Sequence, residues 1–235
     1  MNKPVGFDQK IKIAHLDFIA NELRYTEKQA LYGRLDEQLQ DDIRGDKSRK
    51  NAITMLMKIW CLVDPSYETL QSRAIEAFPR ATASEKMLLH WGMTLLAYPF
   101  FMSVAEEMGH LFELQNEVPS QQVGRKIKLL YGDRRRVEVA IGAVLGSMKA
   151  WGVIECKQKK SYFLPAKISV ENVALKQWIL EVLLRISSYK VMPLPMLLSQ
   201  NAFFPFDYKM TIGEIDTNGI KVDRQGLDTY MLSLG

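Results

Sequence analysis

The sequence predicts a mainly α protein: a helical bundle with a central winged helix-turn-helix and a small β-containing C-terminal tail. Three observations predict it. Apolar residues recur at helical spacing through most of the 235 residues. Between Ser120 and Val170, two short helical stripes are followed by two strand-like runs. From Phe203 onward, β-favouring runs and an Asn218-Gly219 turn signal replace the helical period. The organisation expected is an N-terminal helical region (1–83), a helical pair with the winged helix (84–170), and a C-terminal helix with a short tail (171–235).

In chain order, Ile11, Ile13, Leu16, Ile19 and Leu23 mark a first helix. Thr26 opens a second, with Leu31, Leu35 and Leu39 spaced by four. Lys47 to Val63 reads as a third helix, basic at its start. Asp64-Pro65-Ser66 is a turn, and Tyr67 to Phe78 a fourth helix. Thr82 or Ser84 caps a long helical pair that bends at Pro99. Met87 to Ala105 holds nineteen residues without a formal charge, near the length of a membrane span. His90, Gly92, Thr94, Pro99 and Ser103 interrupt it, so a buried core helix is the expected role. Asn116 to Pro119 is expected as a loop.

Val123, Ile127 and Leu130 place one apolar face on the first helix of the central block, with Ser120 as its cap and Gly132 at its end. Asp133 is expected to cap the second helix, whose stripe is Val137, Ile141, Val144, Met148 and Trp151. Val153-Ile154 and Tyr162-Phe163-Leu164 follow as strands around a polar tip, Gln158 to Ser161. Asn172 to Tyr189 is a further helix, and Met196 to Gln200 a short one framed by Pro193 and Pro195. In the tail, Met210–Ile215 and Ile220–Val222 are expected to pair, with Asp228 to Leu234 as another strand. Phe203, Phe204 and Phe206 anchor the tail to the core. No internal repeat is visible.

Charge singles out the central block. It carries eleven basic and three acidic residues, whereas the whole chain is only +4, so the remainder is net acidic. Concentrated positive charge is the footprint of phosphate binding. The candidate nucleic-acid contacts are Arg125, Lys126, Lys128, Arg134, Arg135, Arg136, Lys149, Lys157, Lys159 and Lys160. Glu138 projects outward from the same helix, where it is suited to accept from cytosine.

Catalytic signals are scarce. No phosphate-cradling glycine loop or nucleophile elbow appears. Glu106 and His110 stand at i, i+4 but offer two ligands only. Glu155-Cys156-Lys157 matches half of a nuclease core, with Asp133 the nearest further carboxylate. No catalytic residue, metal ligand or cofactor is therefore expected. Cys61 and Cys156 lie far apart, which fits a reducing cytoplasm, and the first residues contain no apolar leader.

The phrases MLLHWGMTLLAYPFFMSVAEEM, RRRVEVAIGAVLGSMKAWGVIE and YFLPAKIS resemble the small helical component of BREX phage-defence systems, the BrxA family. The resemblance covers residues 85–170. It implies a non-enzymatic DNA-binding subunit of a prokaryotic antiviral system. The partners expected are double-stranded DNA and other defence proteins, and the weak hydropathy of residues 87–105 gives no expectation of a membrane. The two other readings are a protein-interaction adaptor built on a winged helix and an Mg²⁺-dependent nuclease.

Overall fold

The structure, a computed structural model, describes residues 3–157, 160–226 and 229–235. Four helices form the N-terminal layer: α1 (Ile13–Glu22), α2 (Lys28–Leu39), α3 (Asp46–Trp60) and α4 (Glu68–Ala77). The leucines spaced by four on α2 are all buried, as their spacing requires. Buried Arg49 does not belong to an exposed basic start of α3; it donates to Asp36 at 2.6 Å and to the Ile43 carbonyl at 3.1 Å.

The next helix, α5 (Ala83–Ala97), opens on a capping box. Thr82 accepts from the Glu85 amide, and the Glu85 carboxylate accepts from the Thr82 amide. Pro99 then starts α6 (Pro99–Leu114), which departs from α5 at 119°. The uncharged stretch is therefore a broken helix whose α5 part is buried from Leu88 to Leu96. Among the described residues no single helix is long and apolar enough to cross a membrane; α5 and α6 reach that mark only together, across their bend.

The central block contains β1 (Glu117–Pro119), α7 (Ser120–Tyr131), α8 (Arg135–Ala150), β2 (Glu155–Lys157) and β3 (Ser161–Phe163). The strands form an antiparallel sheet in the order β1-β3-β2, with Tyr162 opposite both Val118 and Cys156. Several local expectations need correction. Asn116–Pro119 is not a plain loop, because Val118 is buried and the strand it forms supplies a third member to the sheet. Pro119 and Arg134, rather than Ser120 and Asp133, occupy the N-cap positions, and neither helix has a side-chain cap. Val153 and Ile154 are buried ahead of the strand, which begins at Glu155. Of the expected tip, Gln158 and Lys159 lie outside the described residues.

The chain continues through β4 (Ile168–Ser169), α9 (Val173–Ile186), β5 (Val191–Pro193), α10 (Leu194–Leu198), β6 (Phe206–Asp207), β7 (Ile220–Gln225) and β8 (Thr229–Leu234). Asn172 caps α9 by accepting from the Ala174 amide. The expected pairing of 210–215 with 220–222 does not form. Ile212–Glu214 is a 3-10 turn instead, held by the Thr211–Glu214 capping box, and the hairpin pairs β7 with β8 beyond Gly226 at φ 71°. β4 and β6 form a two-stranded parallel sheet, and the other three-stranded sheet has the order β5-β8-β7. It shares with the first three-stranded sheet a preceding helix, a short edge strand ending in proline, a helix directly after that strand and a hairpin whose second strand is central. Only the first block has a second α-helix, α8, before its hairpin. No sequence repeat announces this echo.

One continuous core joins these parts. Trp91 sits at its centre, edge-on to Phe101, Trp151, Phe204 and Phe206, and its indole donates to the Ala202 carbonyl at 2.8 Å. Phe203, Phe204 and Phe206 are buried and do anchor the tail. The N-terminal segment straps α8: the Ile11 amide donates to Ser147 Oγ and Trp151 Nε1 donates to the Ile11 carbonyl, both at 2.9 Å.

Candidate nucleic-acid interface

Helix α8 buries Val137, Ala140, Ile141, Val144 and Met148. At 3.6 residues per turn, that leaves Arg135, Glu138, Val139, Gly142 and Lys149 on its outer face, with Gly146 half-buried there beside the Lys10 side chain. A groove of about 700 Å³ runs beside it. One wall is α7, through Ser120, Gln121, Gly124, Arg125 and Lys128; the other is α8, through Glu138, Ile141, Gly142 and Leu145; Lys160 and Tyr162 close the end.

The ten candidate cations are not equivalent. Arg125 and Lys160 are exposed and line the groove. Lys128 lines it too, but its ammonium is shared between Asp133 at 2.9 Å and Glu138 in closer contact. Glu138 foremost, then Asp133, raises the Lys128 pKa. Glu138, the expected base-reading group, is thereby engaged within the protein. Arg134 is half-buried and stapled, donating to the carbonyls of Tyr131 at 2.9 Å and Lys3 at 3.3 Å. Arg135 is exposed at the start of α8. Arg136 is 65% exposed and lies 3.5 Å from Asp8. Lys126 faces the Glu107 side of α7, where its charge opposes the burial that raises the Glu107 pKa. Lys149 is exposed in the last turn of α8. Lys157 lies 4.3 Å above the Phe163 ring. Lys159 is outside the described residues.

Two glycines of this groove, Gly124 and Gly142, contrast with two that lie in the core. A Cβ on Gly92 would fall 2.3 Å from Trp178, and one on Gly109 would fall 2.5 Å from the Asn201 carbonyl oxygen. Those glycines are explained by helix packing. Among the described residues, a Cβ on Gly124 or Gly142 would meet nothing within 4 Å. Each costs its helix about 1 kcal/mol relative to alanine, with no internal contact to account for it. Both open the groove floor to close approach from outside.

The other candidate chemistry stays dispersed. Glu155 and Asp133 are exposed, and His110 is exposed while burial raises the pKa of Glu106. Among the described residues no three His, Cys, Asp or Glu side chains gather as a metal site. Lys47, Arg135 and Arg136 line a further groove that the charge of the central block alone does not reveal, because Lys47 belongs to α3.

No family model, curated protein or solved structure matches this chain.

Proposed function

We propose that the chain is a DNA-binding protein whose residues 99–163 form a winged helix-turn-helix, with α8 entering the major groove and the β2–β3 hairpin as the wing. The observation that carries this reading is the setting of α8. It stands beside a glycine-floored groove whose cations without an ion-pair partner among the described residues, Arg125 and Lys160, come from the preceding helix and the hairpin. The helix–strand–helix–helix–hairpin order and the β1-β3-β2 sheet support the same assignment. A role beside other components of an antiviral defence system is part of the proposal, as the family resemblance implies.

The outer face of α8 offers few base-reading groups: Gly142 is bare, Gly146 is half-buried beside the Lys10 side chain, Val139 is apolar and Glu138 is paired. Affinity therefore comes mainly from phosphates and depends steeply on salt. The test measures fluorescence anisotropy of mixed-sequence duplex, single-stranded and RNA probes at several salt concentrations. Arg125→Glu with Lys160→Glu is expected to weaken duplex binding at least about tenfold and to lower the log–log salt slope by about 0.9 per lost contact. Unchanged affinity and slope in the folded variant overturn the assignment.

A second reading, a protein-interaction adaptor, draws on the same bare face, which fits a closely packed partner helix. Partner capture that survives nuclease treatment, with no duplex bound at any salt concentration, favours the adaptor.

A further inference from the structure

Helix α8 has a second groove on its other flank. Lys47, Ser48 and Asn51 from α3, with Asp8 and Gln9 of the N-terminal strap, face Arg135, Arg136 and Val139 of α8 across about 630 Å³. The α8 residues of the first groove and those of the second are centred about a third of a turn apart at 3.6 residues per turn. The exposed ridge of α8 lies between them. Lys47, Arg135 and Arg136 bring three cations to the second groove against one carboxylate, Asp8. That carboxylate is already engaged by Asn51 at 2.8 Å and Arg136 at 3.5 Å. Lys47 is exposed in the first turn of α3, next to Asp46, whose carboxylate is engaged by Arg49 at 3.5 Å and Lys50 at 3.0 Å.

A duplex major groove is about 12 Å wide and is bounded by a sugar–phosphate backbone on each side. A helix with its side chains is about as wide. A helix seated there has one backbone along each flank, and α8 has a cationic groove along each flank. We propose that the second groove is a phosphate seat for the opposite strand: Lys47 and Arg135, with Arg136 beside them, hold one backbone while Arg125 and Lys160 hold the other. The N-terminal helical layer is then part of the interface, and the ligand is a duplex clamped on both strands. This rests on the DNA-binding reading above.

The test uses the full chain, a 24-base-pair mixed-sequence duplex and each of its single strands, with binding measured across a salt series. Lys47→Glu places an acid in the first turn of α3, which suits the helix dipole, so the variant keeps its thermal stability. Wild type is expected to bind the duplex more tightly than either strand. Lys47→Glu is expected to lose about tenfold in duplex affinity and about 0.9 of salt slope, with a smaller change for single strands. Duplex binding that Lys47→Glu leaves unchanged, or wild-type binding of single strands as tight as of duplex, overturns the two-strand clamp and leaves the winged-helix reading standing. Wild type that binds none of the probes overturns both. Arg125→Glu run in parallel separates the flanks: loss there with none at Lys47 confines phosphate contact to the first groove.

Discussion

Trp60 has one side-chain donor, its indole N–H, and spends it on His90 Nδ1 at 3.1 Å. An indole cannot accept, so Nδ1 must be the acceptor and the ring proton sits on Nε2, which donates to Asp17 at 3.1 Å. The tautomer follows from the partners. Complete burial lowers the His90 pKa below 6.5, opposed by the Asp17 hydrogen bond and charge, with Lys86 adding to the lowering. The same hydrogen bond holds the Asp17 carboxyl below its ordinary range. The sign follows: on acidification the unfolded chain takes up the imidazole proton before the folded chain does. The stability His90 contributes is present above pH 6.5 and is lost as pH falls through 6.5 toward its lowered folded value. Urea unfolding midpoints measured from pH 8 to pH 5.5 are expected to fall over that window. His90→Gln, which keeps a neutral amide between Trp60 and Asp17, is expected to be less stable at pH 8 and to flatten the fall. An equally steep fall in the variant would assign the pH dependence to other groups.

At the scale of elements, the bare groove floor separates folding from binding. Gly142→Ala adds a methyl that touches nothing among the described residues and removes a mid-helix glycine. The expected outcome is a gain of about 1 kcal/mol in unfolding free energy, together with weaker duplex binding if the ligand approaches α8 at this point. Gly124→Ala should behave alike. Calorimetry and anisotropy on the same preparations check both halves, and a more stable variant with unaltered affinity would remove the groove floor from the interface. The helices of this block were legible in the sequence because their apolar stripes are long. The sheet was less so. β1 has three residues and ends in Pro119, so it carries no alternation to read. The hairpin strand begins at Glu155 because Val153 and Ile154 spend their apolar side chains in the core before it. Of the candidate cations, the sequence singled out Arg125, Arg135 and Lys160 together with Arg134 and Lys128. Only tertiary contacts distinguish an exposed cation from one stapled to the Tyr131 carbonyl or shared by Asp133 and Glu138.

Across the whole molecule, the concentration of charge and the mainly α class were readable, and the shared plan of the two three-stranded sheets was not. Residues 187–235 carry four basic and five acidic side chains, against eleven and three in the central block. Yet both regions follow the same plan of edge strand, helix and hairpin. The echo is hidden because α10 has only five residues and a 3-10 turn, Asn201–Phe203, follows where the first block has a full helix. That turn is pressed into α6 instead: Gly109 leaves room for the Asn201 carbonyl, and Phe204 packs on Trp91 at 5.5 Å and on Phe112 at 5.7 Å. The tail is thus built into the core that positions α8 through Trp151, the other indole against Trp91. Phe204→Ala is expected to cost about 3–5 kcal/mol and to shift the unfolding of the entire chain. Far-ultraviolet circular dichroism and tryptophan fluorescence, which reports Trp60 in the N-terminal layer as well as Trp91, should move to lower urea together. A tail that folds as a separate unit would give the opposite result: an early minor transition, with the main one left where wild type has it.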